Sequence, residues 1–343
     1  MMMKTRREFK LGLVGCGRIS QSYVQAAMTC PTLKLVGVMD TRPEAARSTG
    51  EVAECRTFTD LESFARESGA EGVIICAPPA EHRPIACTLL QAGMHVLCEK
   101  PFSTNWEDAV AMVNTATELD LVLMMASKFR YVEDVIRAKA IITSGMLGEI
   151  QFYENRFCGK VNMKDRWNSD PQVGGGGVLI DNGTHSVDIV RYLMGPIGMV
   201  HAQEGKRIMQ LPVEDTVCLS FLTRQQVNGT VYLSWSINVD SGGYINIYGT
   251  DGALSIGWKE TKYQHHGHPE WVTFGVGYNK VDAFKNQVLN FVETVRGSAE
   301  PVITMEDGLA SVKVVEAAYQ SMRQQNWQEV EEVPSILNLV ATK

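Results

Sequence analysis

Residues 9–20 have the sequence FKLGLVGCGRIS, an apolar run that ends in a glycine turn. The run predicts a buried strand, and the apolar spacing over residues 19–28 predicts a helix directly after the turn. In such a strand–turn–helix unit, main-chain N–H groups and the positive end of the helix can hold a pyrophosphate. The last small position of the G-x-G-x-x-G/A pattern is Ser20, which is small enough for close strand-to-helix packing.

A second apolar run, residues 33–39, predicts the next strand and ends at Asp40. A carboxylate at this point can accept hydrogen bonds from both adenosine ribose hydroxyls and repels a 2′-phosphate, which favours NAD. Arg42 leaves NADP as an alternative cofactor, because a guanidinium there can stack on adenine or neutralise the 2′-phosphate. The candidate cofactor contacts in this region are Gly15, Gly17, Arg18, Ile19, Asp40 and Arg42.

Strands and helices continue to alternate beyond this unit. Further strands are predicted near 53–57 and at 72–77, 95–98 and 121–126, with helices at 43–47, 60–67, 81–91, 105–119 and 132–144. This alternation predicts an α/β fold with a doubly wound parallel sheet, which binds ligands at the carboxyl ends of its strands. Candidate cofactor contacts near those ends are Ala77, Pro78, His82, Glu99, Lys100 and Arg130.

Two of these residues have specific alternatives. Lys100 follows a predicted strand and precedes Pro101, which ends the strand, so its ammonium group would emerge where a nicotinamide lies. The alternative is an ordinary surface lysine in a turn. Arg130 can contact cofactor phosphate or substrate, or it can pair with a carboxylate.

Residues 174–188, GGGGVLIDNGTHSVD, carry the second candidate site. The apolar spacing predicts a helix in which Asp181 and His185, four residues apart, share one face. The glycines permit a close approach to the backbone, for example by a flat cofactor ring. The alternative is a core histidine with a satisfied hydrogen bond, and Asp188 is expected to be a buried structural partner.

The second half of the chain has period-two runs that predict an antiparallel sheet. They cover 149–158, 199–205, 215–222, 228–236, 244–248 and 253–257, with turns at 240–243 and 250–252. Helices are predicted at 281–296 and 305–323, the second of which is a candidate to pack back on the first domain. The predicted domains are 1–127, which binds the dinucleotide, and 128–343, which binds substrate and forms oligomers.

Composition excludes several classes of protein. The 343 residues carry 32 Lys and Arg against 39 Asp and Glu, a net charge of −7 without a basic block, which disfavours nucleic-acid binding. No apolar run is long enough to span a membrane. Eight scattered cysteines without a C-x-x-C pair favour a reducing compartment over a disulfide framework or a zinc site. His265, His266 and His268 are predicted to lie in a solvated loop, and no metal is expected.

One segment resembles an export signal. Residues 5–10, TRREFK, are similar to a twin-arginine motif followed by an apolar run. That run is too short for a signal peptide, no small-residue cleavage site follows, and cleavage downstream would remove the glycine turn. The predicted location is the cytoplasm, with no membrane association.

Three segments together resemble the family of glucose-fructose oxidoreductases, inositol dehydrogenases and rhizopine-catabolism proteins. They are VGCGRIS (14–20) with Asp40, residues 77–101 ending in HVLCEKP, and residues 170–195 around the glycine run. The resemblance implies an N-terminal Rossmann domain and a C-terminal α+β domain with an open, mostly antiparallel sheet. In this family that sheet often forms the subunit interface, which implies a homodimer or homotetramer.

Matched by motif, the family's catalytic residues correspond to Lys100, Asp181 and His185. Trp167 matches a family tryptophan near the cofactor, whereas Asn168 stands where the family often has arginine and Ala80 where it often has asparagine. The resemblance implies hydride transfer between NAD(P) and a secondary alcohol of a sugar, cyclitol or sugar derivative. Candidate substrate contacts are Lys100, Arg156, Asn168, Asp181, Asn182 and His185.

The residue types agree with that chemistry. His185 is predicted to be the general base in oxidation and the general acid in reduction, because imidazole titrates near neutral pH. Lys100 is predicted to stabilise alkoxide charge, and Asp181 to orient His185 or bind a neighbouring hydroxyl. The alternatives are a reductase of a nucleotide-linked keto sugar, a diol dehydrogenase, or a regulator that binds dinucleotide without turnover. The presence of all three residues disfavours the regulator.

Overall fold

The computed structural model describes residues 7–238, 242–334 and 336. It divides into two compact units. Among the described residues, the first unit contains 7–128, 280–309, 334 and 336, and the second contains 129–238, 242–279 and 310–333. The sequence prediction, by contrast, leaves residues 280–309 in the second domain.

The first unit contains a parallel sheet with helices between its strands. Its strands are β1 (Phe9–Val14), β2 (Leu33–Met39), β3 (Arg56–Phe58), β4 (Gly72–Ile75), β5 (His95–Glu99) and β6 (Leu123–Ala126). Its helices up to residue 128 are α1 (Ser20–Met28), α2 (Pro43–Ala53), α3 (Leu61–Glu67), α4 (His82–Gln91) and α5 (Trp106–Glu118). The strand order among the described residues is β3-β2-β1-β4-β5-β6, with all pairs parallel.

This order confirms the predicted doubly wound sheet. The chain reverses direction of winding between β1 and β4, which is the point where such sheets bind ligands. All residues of β4 and β6 are buried, because helices cover both faces of a parallel sheet. The apolar runs in the sequence have the same cause.

The second unit contains a larger, mixed sheet. Its elements are α6 (Glu133–Thr143), β7 (Ile150–Cys158), α7 (Pro171–Gly174), α8 (Val178–Met194), β8 (Ile197–Glu204), β9 (Thr216–Thr223), β10 (Asn228–Ser234), β11 (Gly243–Gly249), β12 (Gly252–Gly257), β13 (Thr261–His265) and β14 (His268–Gly275). Two helices and a short strand follow: α9 (Lys280–Val295), α10 (Met305–Gln324) and β15 (Gln328–Glu329). Among the described residues the sheet order is β14-β13-β12-β11-β7-β10-β9-β8-β15.

The open, mostly antiparallel sheet is confirmed, and β7 with β10 is the parallel pair within it. Helix α8 packs on β7, β9 and β10, so the inward side chains of these strands form the core with it. Burial alternates residue by residue along β9, as expected for a sheet with one covered face. On the other face, Phe152 is 59% exposed and Tyr232 and Tyr248 are 40% and 41% exposed.

Two features of the C-terminal half differ in detail from the sequence predictions. The helix that packs against α1 is α9, through contacts such as Tyr23 with Phe284, whose ring centroids lie 4.7 Å apart. Helix α10, named from the sequence, lies in the first unit only up to Leu309. His265, His266 and His268 are exposed, as expected, but they lie at the tip of the β13–β14 hairpin, where His265 pairs with His268, because main-chain pairing at the sheet edge does not require apolar side chains.

Some predicted features fall outside the described residues. They are Thr5 and Arg6 of the export-like motif and residues 240 and 241 of the turn predicted at 240–243. In the part of the chain that is described, no helix has both the length and the apolar composition needed to cross a bilayer.

Candidate active site

The glycine turn after β1 fits a pyrophosphate. Gly15 has a φ of +92°, and a Cβ there would lie 2.6 Å from the main-chain nitrogen of Ala77, so only glycine allows this approach to the end of β4. A Cβ on Gly17 would meet no atom within 4 Å, which leaves its main chain open to a ligand. Ser20 is buried and donates its hydroxyl to the Gly17 carbonyl, which explains a serine at this position. Arg18 is exposed and Ile19 is half-buried.

Asp40 lies buried at the end of β2 with its carboxylate directed at the glycine turn. It accepts hydrogen bonds from the main-chain N–H of Cys16 at 2.8 Å and of Arg42 at 2.9 Å, and from the Arg42 side chain. Burial alone would raise the pKa of Asp40, but these hydrogen bonds outweigh it and the pKa is lowered. A carboxylate held ionised beside the turn fits the predicted ribose contact.

Glu99 ends β5, Lys100 follows it, and a buried chain of hydrogen bonds lies beside them. The Tyr23 hydroxyl donates to Glu99 at 2.6 Å, and Gln287 of α9 donates to the Tyr23 oxygen at 2.9 Å. The second Glu99 oxygen accepts the main-chain N–H of Lys100 at 3.0 Å. Burial raises the pKa of Glu99. Lys100 is half-buried, and its backbone is fixed by the residue that precedes it.

His82, predicted as a cofactor contact, instead joins two main-chain segments. Its Nδ1 lies 2.9 Å from the carbonyl oxygen of Pro101 and its Nε2 lies 3.0 Å from that of Ala77. The ring is fully buried, and burial lowers the pKa of His82. Ala77 and Pro78 are half-buried next to it. The imidazole therefore ties the turn that follows Lys100 to the end of β4.

Helix α8 carries the candidates of the second unit. Asp181 and His185 lie one turn apart on this helix, as predicted. Asp181 is half-buried and His185 is 8% exposed. Asn182 is half-buried and donates to the Phe157 carbonyl at 3.4 Å, which connects α8 to β7.

A group of five aromatic side chains, called here the aromatic cluster, lies next to His185. Its members are Phe129, Phe157, Tyr244, Trp258 and Tyr278. The His185 ring meets Phe129 edge-on with centroids 5.1 Å apart. Trp258, whose centroid is 4.5 Å from that of Tyr244, remains 46% exposed. The cluster therefore connects the candidate base with an exposed indole.

Atoms of the protein itself fill the space next to the glycines that precede α8. A Cβ on Gly176 would overlap the Tyr319 hydroxyl, and a Cβ on Gly177 would overlap the Glu214 carbonyl oxygen. Gly175 has a φ of +82°, which ends α7 in the left-handed region. The close approach inferred from these glycines is real, but at Gly176 and Gly177 protein atoms make it and not a cofactor ring.

Arg130 and Asp188 form a buried ion pair. The Arg130 Nη2 lies 2.7 Å from the Asp188 Oδ1, with the two side chains 5% and 0% exposed. The Arg130 guanidinium also lies over the Tyr192 ring, 5.3 Å from its centroid. Of the roles open to Arg130, the geometry favours pairing with a carboxylate, and it gives Asp188 the structural role expected from the sequence.

Three further candidates also lie in the second unit. Arg156 lies on the opposite face of β7 from Phe157, since adjacent strand residues point to opposite faces, and it contacts Glu154 and Tyr232 there. This placement argues against Arg156 as a substrate contact. Trp167 is 43% exposed in a short 3₁₀ helix at 167–169, and Asn168 next to it is half-buried. The main chain of Asn168 contacts Gly174.

The described residues contain no group of three or more His, Cys, Asp or Glu side chains arranged to hold a metal ion. His265 and His268 form the paired ends of β13 and β14, with His266 in the turn between them. All eight cysteines are free thiols. Burial raises the pKa of Cys16, in the glycine turn, to about 11, so this thiol is not an activated nucleophile.

Models of one protein family match both parts of the chain. A model described as oxidoreductase family, NAD-binding Rossmann fold, matches residues 9–127, and one described as oxidoreductase family, C-terminal alpha/beta domain, matches residues 139–330. Glucose-6-phosphate 3-dehydrogenase of Bacillus subtilis is 25% identical, with 91% of this chain and 95% of that protein covered. Inositol 2-dehydrogenase of Rhizobium meliloti is 23% identical, with 91% and 96% covered.

The same fold occurs among solved structures. The structure of levoglucosan dehydrogenase in complex with NADH superposes with a TM-score of 0.89, covering 95% of this chain and 100% of that one. The sequences are 20% identical, so this likeness concerns the fold.

Proposed function

We propose a function from one premise: the chain belongs to the family of glucose-fructose oxidoreductases, inositol dehydrogenases and rhizopine-catabolism proteins. Its members are oxidoreductases with an NAD-binding Rossmann domain. The proposed reaction is hydride transfer between NAD and a secondary hydroxyl of a sugar, cyclitol or sugar derivative. The relatives named above, which act on a sugar phosphate and on inositol, support this substrate class.

The observation that carries the proposal is the arrangement on α8. His185 is nearly buried beside an aromatic cluster, and Asp181 lies one turn before it on the same helix. An imidazole can move a proton near neutral pH, and a carboxylate one turn away can orient it or bind a neighbouring hydroxyl.

The proposed mechanism divides the work among three side chains. When bound, NAD supplies hydride acceptance. His185 removes the hydroxyl proton during oxidation and returns it during reduction. Lys100 donates a hydrogen bond to the same oxygen and stabilises its developing negative charge. Asp181 orients His185 or binds the neighbouring hydroxyl, a role that fits its half-buried position.

The substrate class is supported by Trp258. Binding sites for small molecules combine apolar or aromatic walls with a few polar groups, and the C–H face of a sugar ring is apolar enough to lie on an indole. Trp258 is 46% exposed and belongs to the aromatic cluster that reaches His185. We assign Trp258 to the wall that holds the sugar ring.

The open face of the large sheet is the proposed contact with a second copy of the chain. Phe152, Tyr232, Tyr248 and Met199 are each about two-fifths exposed or more, which is unusual for large apolar residues on one sheet face. A homodimer or homotetramer through this face would cover them. The free cysteines favour a reducing compartment, so the proposed location is the cytoplasm.

The testing experiment is a panel of sugars, sugar phosphates, inositols and nucleotide-linked sugars, each assayed with NAD and with NADP by the absorbance of the reduced nicotinamide. Turnover of a free sugar, sugar phosphate or cyclitol supports the proposal. Turnover confined to nucleotide-linked sugars would support the alternative reductase. Tight NADH binding without turnover of any member would support the regulator.

A further inference from the structure

We infer that Glu214 is a positioning residue for the candidate acid–base pair on α8. It caps the N-terminus of this helix although it lies 37 residues after Gly177 in the sequence. The inference rests on the proposed function, since it concerns the geometry of Asp181 and His185. Glu214 lies in the loop before β9 and is 5% exposed.

The contacts of Glu214 account for three consecutive N–H groups at the start of α8. Its Oε1 accepts the N–H of Gly177 at 3.0 Å and of Leu179 at 3.1 Å. Its main-chain carbonyl accepts the N–H of Val178 at 2.9 Å. The first N–H groups of a helix have no partner within the helix, and Gly177, which occupies the cap position, has no side chain to supply one.

The position of Glu214 is itself fixed. The Tyr319 hydroxyl of α10 donates to Glu214 Oε1 at 2.7 Å. The next residue, Asp215, is fully buried and accepts the N–H groups of Ile208 and Met209, both at 2.8 Å. The Glu214 carboxylate therefore holds the start of α8 from a rigid support, and a shift of the carboxylate would be passed on to the helix.

The glycine run makes this arrangement possible. Any side chain on Gly176 would displace Tyr319, and any side chain on Gly177 would displace the Glu214 main chain. Asp181 lies in the first turn of α8, directly after the capped N–H groups, and His185 follows one turn later. Because the cap holds this first turn in helical geometry, it keeps Asp181 on the same face of α8 as His185.

The test compares the effect of the side-chain length of Glu214 with the effect of its charge. Glu214→Gln keeps the length of the side chain and one acceptor oxygen but removes the charge. Glu214→Asp keeps the charge and shortens the side chain by one methylene. We expect kcat of Glu214→Gln to stay within about 3-fold of the parent. We expect kcat of Glu214→Asp to fall about 10- to 100-fold, with an unchanged KM for NAD, because a displacement of about 1 Å has effects of that size.

Matched controls exclude a general loss of stability. Asp60 caps α3, a helix without candidate site residues, by accepting the Ser63 N–H at 2.8 Å. Asp60→Ala should lower the melting temperature and leave kcat unchanged. Tyr319→Phe removes one of the three donors to Glu214 Oε1 but leaves both N–H contacts of the carboxylate, so its kcat should fall less than that of Glu214→Asp.

A second measurement does not depend on turnover. Amide hydrogen exchange at residues 177–179 should accelerate in Glu214→Asp and remain slow in Glu214→Gln. The inference is overturned if Glu214→Asp keeps parental kcat and exchange, or if Glu214→Gln is the more damaged variant. Absence of activity in the parent protein would instead reject the proposed function, while the exchange result would still decide whether Glu214 caps α8.

Discussion

The carboxylate of Asp40 and the guanidinium of Arg42 form two hydrogen bonds, from Nε to Oδ1 at 3.1 Å and from Nη2 to Oδ2 at 3.2 Å. The Asp40 side chain is 9% exposed and that of Arg42 is 69% exposed. The carboxylate is therefore fixed by its surroundings, and the guanidinium is the partner that has room to move. We propose that the selection between NAD and NADP depends on which of these two side chains faces the adenosine ribose.

Asp40→Ala should weaken NADH binding and narrow any preference over NADPH. Loss of the ribose hydrogen bonds should raise the Kd for NADH about 10-fold, whereas the Kd for NADPH should fall or stay constant because the repulsion of the 2′-phosphate is removed. Arg42→Ala serves as the counterpart, with weaker NADPH binding and a change for NADH below about 3-fold. Fluorescence titration with each dinucleotide gives both constants. Equal changes for the two dinucleotides in Asp40→Ala would reject the ribose assignment.

Lys100→Met and His185→Ala should each lower kcat by about 10²- to 10⁴-fold, the usual contribution of electrostatic stabilisation or acid–base catalysis. The Kd for NADH should change little, because neither residue is assigned to the pyrophosphate or the adenosine. His201→Ala is the matched control: His201 is half-buried beside Trp327, at a centroid distance of 5.6 Å, and belongs to no candidate site. Near-parental kcat in both site variants would reject the mechanism.

Local patterns made much of the fold predictable. The apolar runs of β4 and β5 predict buried parallel strands, and the spacing around Asp181 and His185 predicts α8. The hairpin β13–β14 was not predicted, because its residues are mostly polar and its pairing depends on the neighbouring strand β12.

The contacts that support the site could not be predicted in the same way. Glu214 contacts Gly177 across 37 residues of sequence, and nothing in either local pattern indicates the partner. The aromatic cluster is assembled from five separate segments, so no periodicity marks it. The glycine run did predict a close approach at Gly176 and Gly177, but the identity of the approaching group depends on the tertiary structure.

Removal of Asp188 should affect stability rather than cofactor binding. Asp188→Ala leaves the Arg130 guanidinium buried without its carboxylate, which should cost about 3–5 kcal/mol of unfolding free energy. Replacement of both residues by apolar side chains should cost less than the single change, because no buried charge is left uncompensated. Urea unfolding of Asp188→Ala, of the corresponding single variant of Arg130 and of the double variant measures the coupling between the two residues. If Asp188→Ala instead raised the Kd for NADH strongly and left stability unchanged, Arg130 would be a cofactor contact.

The buried ring of His82 should make stability depend on pH. Burial lowers the pKa of His82 in the folded protein, while the unfolded chain has a histidine pKa of about 6.5. Unfolding therefore takes up a proton below about pH 6.5, and stability falls as the pH is lowered from there toward the folded pKa, by at most about 1.4 kcal/mol per unit. Above that window the contribution is constant.

The comparison of parent with His82→Gln isolates this effect, because other titrating groups are common to both proteins. The unfolding free energy of the parent should fall more between pH 7.5 and pH 5.5, on the order of 1 kcal/mol more, than that of the variant. Urea unfolding at the two values measures the difference. An identical pH dependence in the two proteins would show that His82 titrates in the same way in the folded and unfolded chain.

Trp258 gives a prediction about the substrate side of the site. Its indole is 46% exposed and connects through Phe129 to His185, with centroid distances of 6.3 Å and 5.1 Å. If a sugar ring lies on this indole, Trp258→Ala removes stacking worth about 1–1.5 kcal/mol and should raise the KM for the sugar about 10-fold, with an unchanged KM for NAD. Trp327→Ala is the matched control, because Trp327 is also 46% exposed and lies outside the cluster. Steady-state kinetics with each substrate varied in turn measures both constants, and equal effects of the two tryptophan variants would remove Trp258 from the sugar site.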